Sequence, residues 1–530
     1  MAFGESKKLW IGSVALLLAS PFAAWNLASW PTKLRYPGEE NSLEGQRLAE
    51  MVHLRQGVRI YSPPSPEGFD IANYGPLYYL LGSRLVNPQK PAYLPLRLVS
   101  LLGTVGCAIG CGLLAFWLGR SYFAAALAPL VFLSYRIVTF HGVSARCDAV
   151  ALFLSFCGFL IAYRSRNRKG LLLAAIFMLL GLLYKQQFLA APMAVLLSLL
   201  LEKRYRLAAE FGGLMALGGV ALLGFFQFVA FHGQAFLAHI FLYNALPFRT
   251  ACFETGMIVA GMLFFFPLLI GLEFLRLHRD KPVACYVACA LSLSIGAFAK
   301  QGSDTNHFLE SALVLSALVA ALLAERIARL ACAGEFSLLI VSLLLAQLFA
   351  SSAPFAWPAP GGVDFQRDSA MQDFLHRNFA PHTLALGYYN GDLLRAGLDT
   401  PISDLYGYSW VIRRDLASDR DVLHQLDDGR FGVVVLNFDL QHERDLFYAD
   451  FYLTEPLRKA ILAHYRLAAS LEMPEVEKFR ANDRFYVWVP RAQDRQHSSS
   501  APTNRQPQPS HKVYQFERSA AQVGAGLALP

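Results

Sequence analysis

Apolar runs recur along this 530-residue chain from residue 9 to residue 352, separated by short polar loops. Their lengths predict membrane-spanning helices near 9–29, 97–119, 122–140, 148–163, 170–184, 187–201, 207–231, 256–275, 283–299, 310–324 and 335–352, since each must cover a hydrocarbon core of about 30 Å. The run "LLLAAIFMLLGLLYKQQFLAAPMAVLLSLLL" (171–201) would be about 46 Å long as one helix, too long for a bilayer without steep tilt. Charge divides it. "YRSRNRKG" (163–170) precedes it and "EKRYR" (202–206) follows, and basic loops stay on the cytoplasmic side. Returning to that side takes two crossings, so "YKQQ" is an outer turn between two short helices.

The other loops then alternate. Arg120, 163–170, 202–206, "LRLHRDK" (275–281) and "ERIAR" (325–329) face the cytoplasm; 30–96, 141–147, 184–187, 232–255, 300–309 and everything after 353 face outward. Eleven spans leave the N-terminus inside and the C-terminus outside, with the first run, after Lys7 and Lys8, read as an uncleaved helix. Beyond "SSAPFAWPAPGG" (351–362) the pattern becomes that of a soluble domain. Strand-like "FGVVVLNF" (431–438) and "RFYVWVP" (484–490) alternate with helix-like stretches at 366–379 and 454–471, which predicts a small α/β domain. The chain therefore divides into a membrane module (1–352) with a large first outer loop (30–96), an extracytoplasmic domain (353–490) and a polar tail (491–530) whose composition predicts disorder. The expected architecture is mainly α: a polytopic protein of the plasma or inner membrane, carrying a small α/β domain.

Composition supports this. The chain is 55% hydrophobic and only 16% charged, where a soluble protein carries about a quarter charged residues. Its net charge of +8 sits in the topogenic loops, and no basic stripe interleaved with exposed aromatics marks a nucleic-acid surface. The eight cysteines all lie in or beside apolar runs, with no CxxC pair, so they predict apolar filler and not a disulfide or zinc framework. Gly106 and Gly110 allow close helix packing within the chain.

The outward face holds the chemistry. Lys and Arg are disfavoured in short outer loops, so Arg146, Lys185, Arg249 and Lys300 need a reason, and an anionic ligand at headgroup depth supplies one. The first loop adds Glu39, Glu40, Glu44 and Glu50. Glu40 and Glu44 are four apart and would share a helix face, while first-turn carboxylates also suit the helix dipole. A Pro-rich run with Pro63, Pro64, Pro66 and Pro76 follows and fixes its backbone. His141 and His307 border the same face as hydrogen-bonding residues.

In their order, these segments resemble the GT-C membrane glycosyltransferases, which include the protein O-mannosyltransferases, the aminoarabinose transferases and the RgtA/B/C/D-like group. The resemblance covers residues 36–310 and rests on the carboxylates of the first loop, Gly57-x-x-x-Tyr61, Tyr74-x-Pro-Leu-Tyr78, "ARCDAVALFL" (145–154), "KQ" (185–186) and "KQGSDTNHFLE" (300–310). It implies a polyprenyl-phosphate-linked sugar donor and a glycan, glycolipid or protein acceptor. It also implies a carboxylate general base and inversion at the anomeric carbon. Many members open the loop with Asp-Glu; here Glu39-Glu40-Asn41 stands there, and Glu44 follows. Spacing back from Gly57 favours Glu44 as base, with Glu40 and Glu39 as alternatives. The donor-binding residues implied are Lys300, Arg249, Arg146, Lys185, Tyr74, Tyr78, Asn306 and His307, with a divalent cation as a further candidate. A transporter or flippase for a lipid-linked sugar is the second reading, against which stand the lack of internal repeats and mid-span charges; a non-catalytic partner-binding protein is the third, and it leaves the first-loop carboxylates unexplained.

Overall fold

The computed structural model describes residues 2–328, 342–344, 346–347, 370–442, 446–472 and 484–491. The predicted eleventh span (335–352) lies largely outside the described residues, and all but the first residue of the predicted tail (491–530) lies outside them too. Up to residue 328 the apolar runs are helices: α1 (Ala2–Arg35), then α2 (Ser42–Arg55) and α3 (Pro76–Leu85) in the first loop, and α4 (Leu94–Gly119). After these come α5 (Tyr122–Ser134), α6 (Arg136–Gly142), α7 (Asp148–Arg164), α8 (Arg168–Tyr184) and α9 (Ala190–Leu201). The series ends with α10 (Tyr205–Gly224), which continues as π-helix to Ala230, α11 (Thr250–His278), α12 (Lys281–Phe298) and α13 (Leu309–Ala328). Polar residues set the starts. Asn41, Ser121, Asn167 and Asp280 cap α2, α5, α8 and α12 with their side-chain oxygens, satisfying a backbone N–H that the helix cannot.

Among the described residues, five helices are long and apolar enough to cross a membrane, and the bent pair α5–α6 makes a sixth. The predicted single span 122–140 is thus broken: α5 and α6 meet at 74°, with Tyr135 extended between them. Arg136, buried just past the break, donates to Asn26 of α1, so the bend trades helix continuity for a hydrogen bond the guanidinium needs. The predicted turn at "YKQQ" holds, since α8 ends at Tyr184 and α9 begins at Ala190. Helix α13 is the central post, with 94% of its apolar stretch buried, and it packs on α4, α5 and α11. Gly106 and Gly110 of α4 lie against Phe153 and Phe156 of α7, so that pair serves packing within the chain.

The basic loops gather at one end of the bundle. Arg166 pairs with Glu202, Arg168 with Glu210, His278 with Glu325, and Lys281 donates to the Leu201 carbonyl. The loops 36–41, 143–147, 185–189 and 299–304 belong to the other end.

At that other end sits a four-stranded sheet in the order β1-β2-β4-β3, formed by Ala385–Gly387 (β1), Val433–Leu436 (β2), Tyr465–Glu472 (β3) and Arg484–Pro490 (β4). β1 and β2 are parallel, and the other pairs are antiparallel. Alternate residues feed two cores: Leu386, Val434, Leu436 and Trp488 on one face, Val433, Val435, Phe485 and Val487 on the other. The stretch 454–471 is only half helical; a helix capped by Thr454 ends at His464, and β3 begins at once. Phe69 and Ile71 of the first loop enter the first of these cores. Phe69 donates to the Pro401 carbonyl (2.7 Å) and accepts from Ser403 (3.1 Å), which stitches the first loop to the sheet domain.

Candidate active site

The carboxylates of the first loop have separate fates. Glu44, in the first turn of α2, is wholly buried. It binds Arg97 of α4 through both oxygens (2.6 and 3.1 Å) and accepts from the backbone N–H groups of Glu40 and Ala145. Burial alone would raise its carboxyl, but Arg97 and these hydrogen bonds outweigh it and hold it below the ordinary range. Glu40, also buried, sets one oxygen 2.8 Å from Lys33 of α1 and within 3.4 Å of the Ser144 hydroxyl. Its second oxygen, Oε1, has no hydrogen-bond partner among the described residues. Burial pushes the Glu40 carboxyl up, against the pull of Lys33. Glu39 is buried beside them. Glu50, one face further along α2, pairs with Arg47 and accepts from Ala72 and Ser403, and so belongs to the seam with the sheet domain.

The loop 143–147 links these groups to a second cluster. Asp148, at the first position of α7, receives Lys185 (2.5 Å) and Asn306 (2.6 Å) on Oδ1 and Arg146 (3.2 Å) on Oδ2. Arg146 reaches on to Asp304 (3.2 Å), and buried His141 lies 2.9 Å from Thr305 Oγ1. Arg47 (4.6 Å to the centroid) and Lys185 (5.0 Å) both lie over the Tyr74 ring, two cation–π contacts. Lys300 donates to Asn244 (2.8 Å) and has no ion-pair partner among the described residues. Burial, and then Lys185, push its ammonium down to about 8. Arg249 runs beside it, its Nε donating to Gln301 and its neighbour Phe248 bridged to Lys300. The predicted residues Arg146, Lys185 and Asn306 thus converge on Asp148, and Lys300 and Arg249 form an adjoining rim. Tyr78 does not join them: its buried hydroxyl donates to the Ala145 carbonyl (2.9 Å), a brace for the loop. His307 offers its carbonyl to Ser294 (2.6 Å).

No family model matches the sequence, and no curated protein matches it. The three-dimensional comparison does. ArnT from Cupriavidus metallidurans, an aminoarabinose transferase of the GT-C superfamily, superposes with a TM-score of 0.53 in its undecaprenyl phosphate complex. Identity is 12%, over 91% of this chain and 98% of that one. Its apo form gives 0.54 at 10% identity, covering 91% and 97%. This chain has the GT-C fold. A looser likeness, 0.47 at 14% identity over 86% of this chain and 73% of that one, is to the oligosaccharyltransferase of Archaeoglobus fulgidus.

Within this GT-C fold the functional end holds residues that sequence reasoning passed over. Lys33 and Arg97 lie inside or at the end of apolar helices and neutralise Glu40 and Glu44. Cations at span ends remote from the basic loops run against the positive-inside preference, and that was the signal available. Arg47 is another: Nη1 is taken by Glu50 and Tyr79, while Nε and Nη2 have no partner among the described residues. A divalent cation fits poorly. Among the described residues no three His, Cys, Asp or Glu side chains converge to hold a metal, and Glu44, Asp148 and Asp304 are each already paired with an Arg or Lys.

Proposed function

We propose that the chain is a membrane glycosyltransferase that moves a sugar from a polyprenyl-phosphate donor to an acceptor hydroxyl, with Glu40 as general base. The observation that carries this is the open oxygen of Glu40: a buried carboxylate, anchored on one side by Lys33, whose Oε1 has no partner among the described residues. Glu44, the base favoured by spacing, has its acceptor positions filled by Arg97 and two backbone N–H groups. A base must have a lone pair to offer, so the assignment moves four residues back. Glu44 then holds the loop in place.

The chemistry balances as a single displacement. The acceptor O–H gives its proton to Glu40, its oxygen bonds to the anomeric carbon, and the bond from that carbon to the phosphate oxygen breaks. The polyprenyl phosphate leaves with the electron pair, and the anomeric configuration inverts. Charge growing on the phosphate needs preorganised cations. Burial, and then Lys185, disfavour the charge of Lys300, and an anion held beside it offsets both. The C. metallidurans structure with undecaprenyl phosphate bound supports such a donor. Basic loops at the opposite end support a site on the extracytoplasmic side. The test is transfer by the purified chain from polyprenyl-phosphate sugars: wild type should release polyprenyl phosphate in the presence of acceptor and Glu40→Gln should not. Equal turnover by the two would end the assignment.

A further inference from the structure

A cleft of about 590 Å³ lies between the first loop and the sheet domain, lined by the end of α2, residues 58–70 and residues 382–401. His53 and Glu44 stand nine residues apart on α2, about 13 Å along its axis, so the cleft is well removed from the bond being made. Nothing in the transfer mechanism uses it.

Its lining is built in pairs. His53 Nδ1 lies 3.0 Å from both oxygens of Asp70, and His382 Nδ1 lies 3.2 Å from Asp399 Oδ1. Neither Nε2 has a partner among the described residues, so each pair presents a ring nitrogen and spare carboxylate lone pairs together. His382 is held in the left-handed region (φ 63°), which a non-glycine residue adopts only at a steric cost. Its backbone N–H donates to the Gly397 carbonyl, so the fold fixes this backbone at the rim, where the imidazole is exposed. Arg59 and Glu67 face the same space without ion-pair partners among the described residues. Donors and acceptors are therefore mixed across the cleft: the carboxylates of Asp70, Asp399 and Glu67 accept, Arg59 donates, and each imidazole offers a ring nitrogen.

That mixture selects a ligand. A phosphate or sulfate needs an excess of cations, which the cleft lacks, and a metal needs three or more converging carboxylate or imidazole ligands, which the described residues do not offer. Charged donors and acceptors side by side instead suit vicinal hydroxyls, each of which both gives and takes a hydrogen bond. We infer that this cleft is a subsite for neutral sugars, holding a part of the acceptor glycan several rings away from the hydroxyl that is glycosylated. The inference rests on the transfer reading above and names its acceptor class: an oligosaccharide or glycolipid with an uncharged, hydroxyl-rich segment. The cleft has the 300–1,000 Å³ scale of small-molecule sites, which suits a few sugar rings.

The experiment uses the full chain in lipid nanodiscs and a panel of unbranched oligosaccharides, neutral (glucose, galactose or mannose units) and anionic (uronic acid or sulfated units). Undecaprenyl phosphate binding is measured in the same preparation. Expected is retention of a neutral series, tighter with each added sugar and little changed by salt, because the ligand carries no charge to be screened. Arg59→Ala and Asp399→Asn, both at exposed side chains, should each weaken it about tenfold while undecaprenyl phosphate binds as in wild type. Failure to retain any neutral oligosaccharide, preference for the anionic ones, or neutral binding untouched by either substitution overturns the subsite. Loss of undecaprenyl phosphate binding in wild type would instead strike the transfer reading, and the two failures are separable.

Discussion

Gly45 of α2 and Gly391 of the sheet domain meet backbone to backbone. A Cβ on Gly391 would lie 2.6 Å from Gly45 Cα, and one on Gly45 would lie 2.6 Å from the Gly391 nitrogen. The residue beside Gly45 is Glu44, so this contact ties the seating of the sheet domain to the loop that carries the carboxylates.

Gly391→Val should therefore cost about 1–3 kcal/mol, the usual range for overpacking a close contact. Expected are a lower thermal midpoint in detergent and faster proteolytic release of the sheet domain, with transfer falling in step. A variant as stable and as protease-resistant as wild type would show that the contact tolerates repacking.

The first-loop carboxylates should separate by readout. Glu40→Gln keeps size and loses the proton acceptor, so kcat should drop about a hundredfold or more with the thermal midpoint nearly unchanged. Glu44→Gln strips the counter-ion from buried Arg97, an effect of about 3–5 kcal/mol, and should lower abundance and midpoint before any kinetic effect is read. The opposite pattern would return the base to Glu44.

Much of this was legible in the chain, for reasons tied to particular residues. The two helices at 168–201 follow from length and from the basic loops on both flanks, and the sheet strands at 433–436 and 484–490 from their apolar runs. The break at Tyr135 was not, because "FLSYRIVTF" contains no proline or glycine and its cause is Asn26, more than a hundred residues away. Nor was β3, whose partner β4 is remote from the helical pattern that leads into it. At the site, the cations and carboxylates were visible as residue types. Their pairing was not: Arg97 lies 53 residues from Glu44 in sequence, and only that contact distinguishes the anchored carboxylate from the open one.

Lys300 should give the donor step a pH signature. Its ammonium is charged below about 8 and neutral above, so kcat/KM for the donor should be level at lower pH and fall as pH rises through about 8. Lys300→Arg should move that limb to much higher pH, because arginine stays protonated, while keeping part of the activity. Lys300→Met should raise the donor KM at every pH and remove the limb. A wild-type profile that stays level across this range, or a Lys300→Met enzyme with unchanged donor kinetics, would take Lys300 out of phosphate binding.

Topology is open to chemical labelling. In a background freed of the eight native cysteines, Ser303→Cys should react with a membrane-impermeant thiol reagent applied from outside, and Ser165→Cys should not. Ser303 lies at the end that holds Lys300 and Asp304, and Ser165 in the basic loop at the other. The reverse labelling would invert the orientation and with it the side on which the donor is consumed.

Only 6% of the apolar stretch formed by α10 and its π-helical continuation is buried against protein. Its exposed residues, Leu214, Leu217, Val220, Phe225, Phe228 and Val229 among them, are left for acyl chains to cover, so along this flank the bilayer acts as the solvent. A polyprenyl substrate approaching here is diluted by its fellow lipids and not by water, and its search is two-dimensional. The quantity that saturates the enzyme is then the donor's mole fraction in the membrane. Adding inert phospholipid at constant donor per litre should slow turnover, and adding buffer should not.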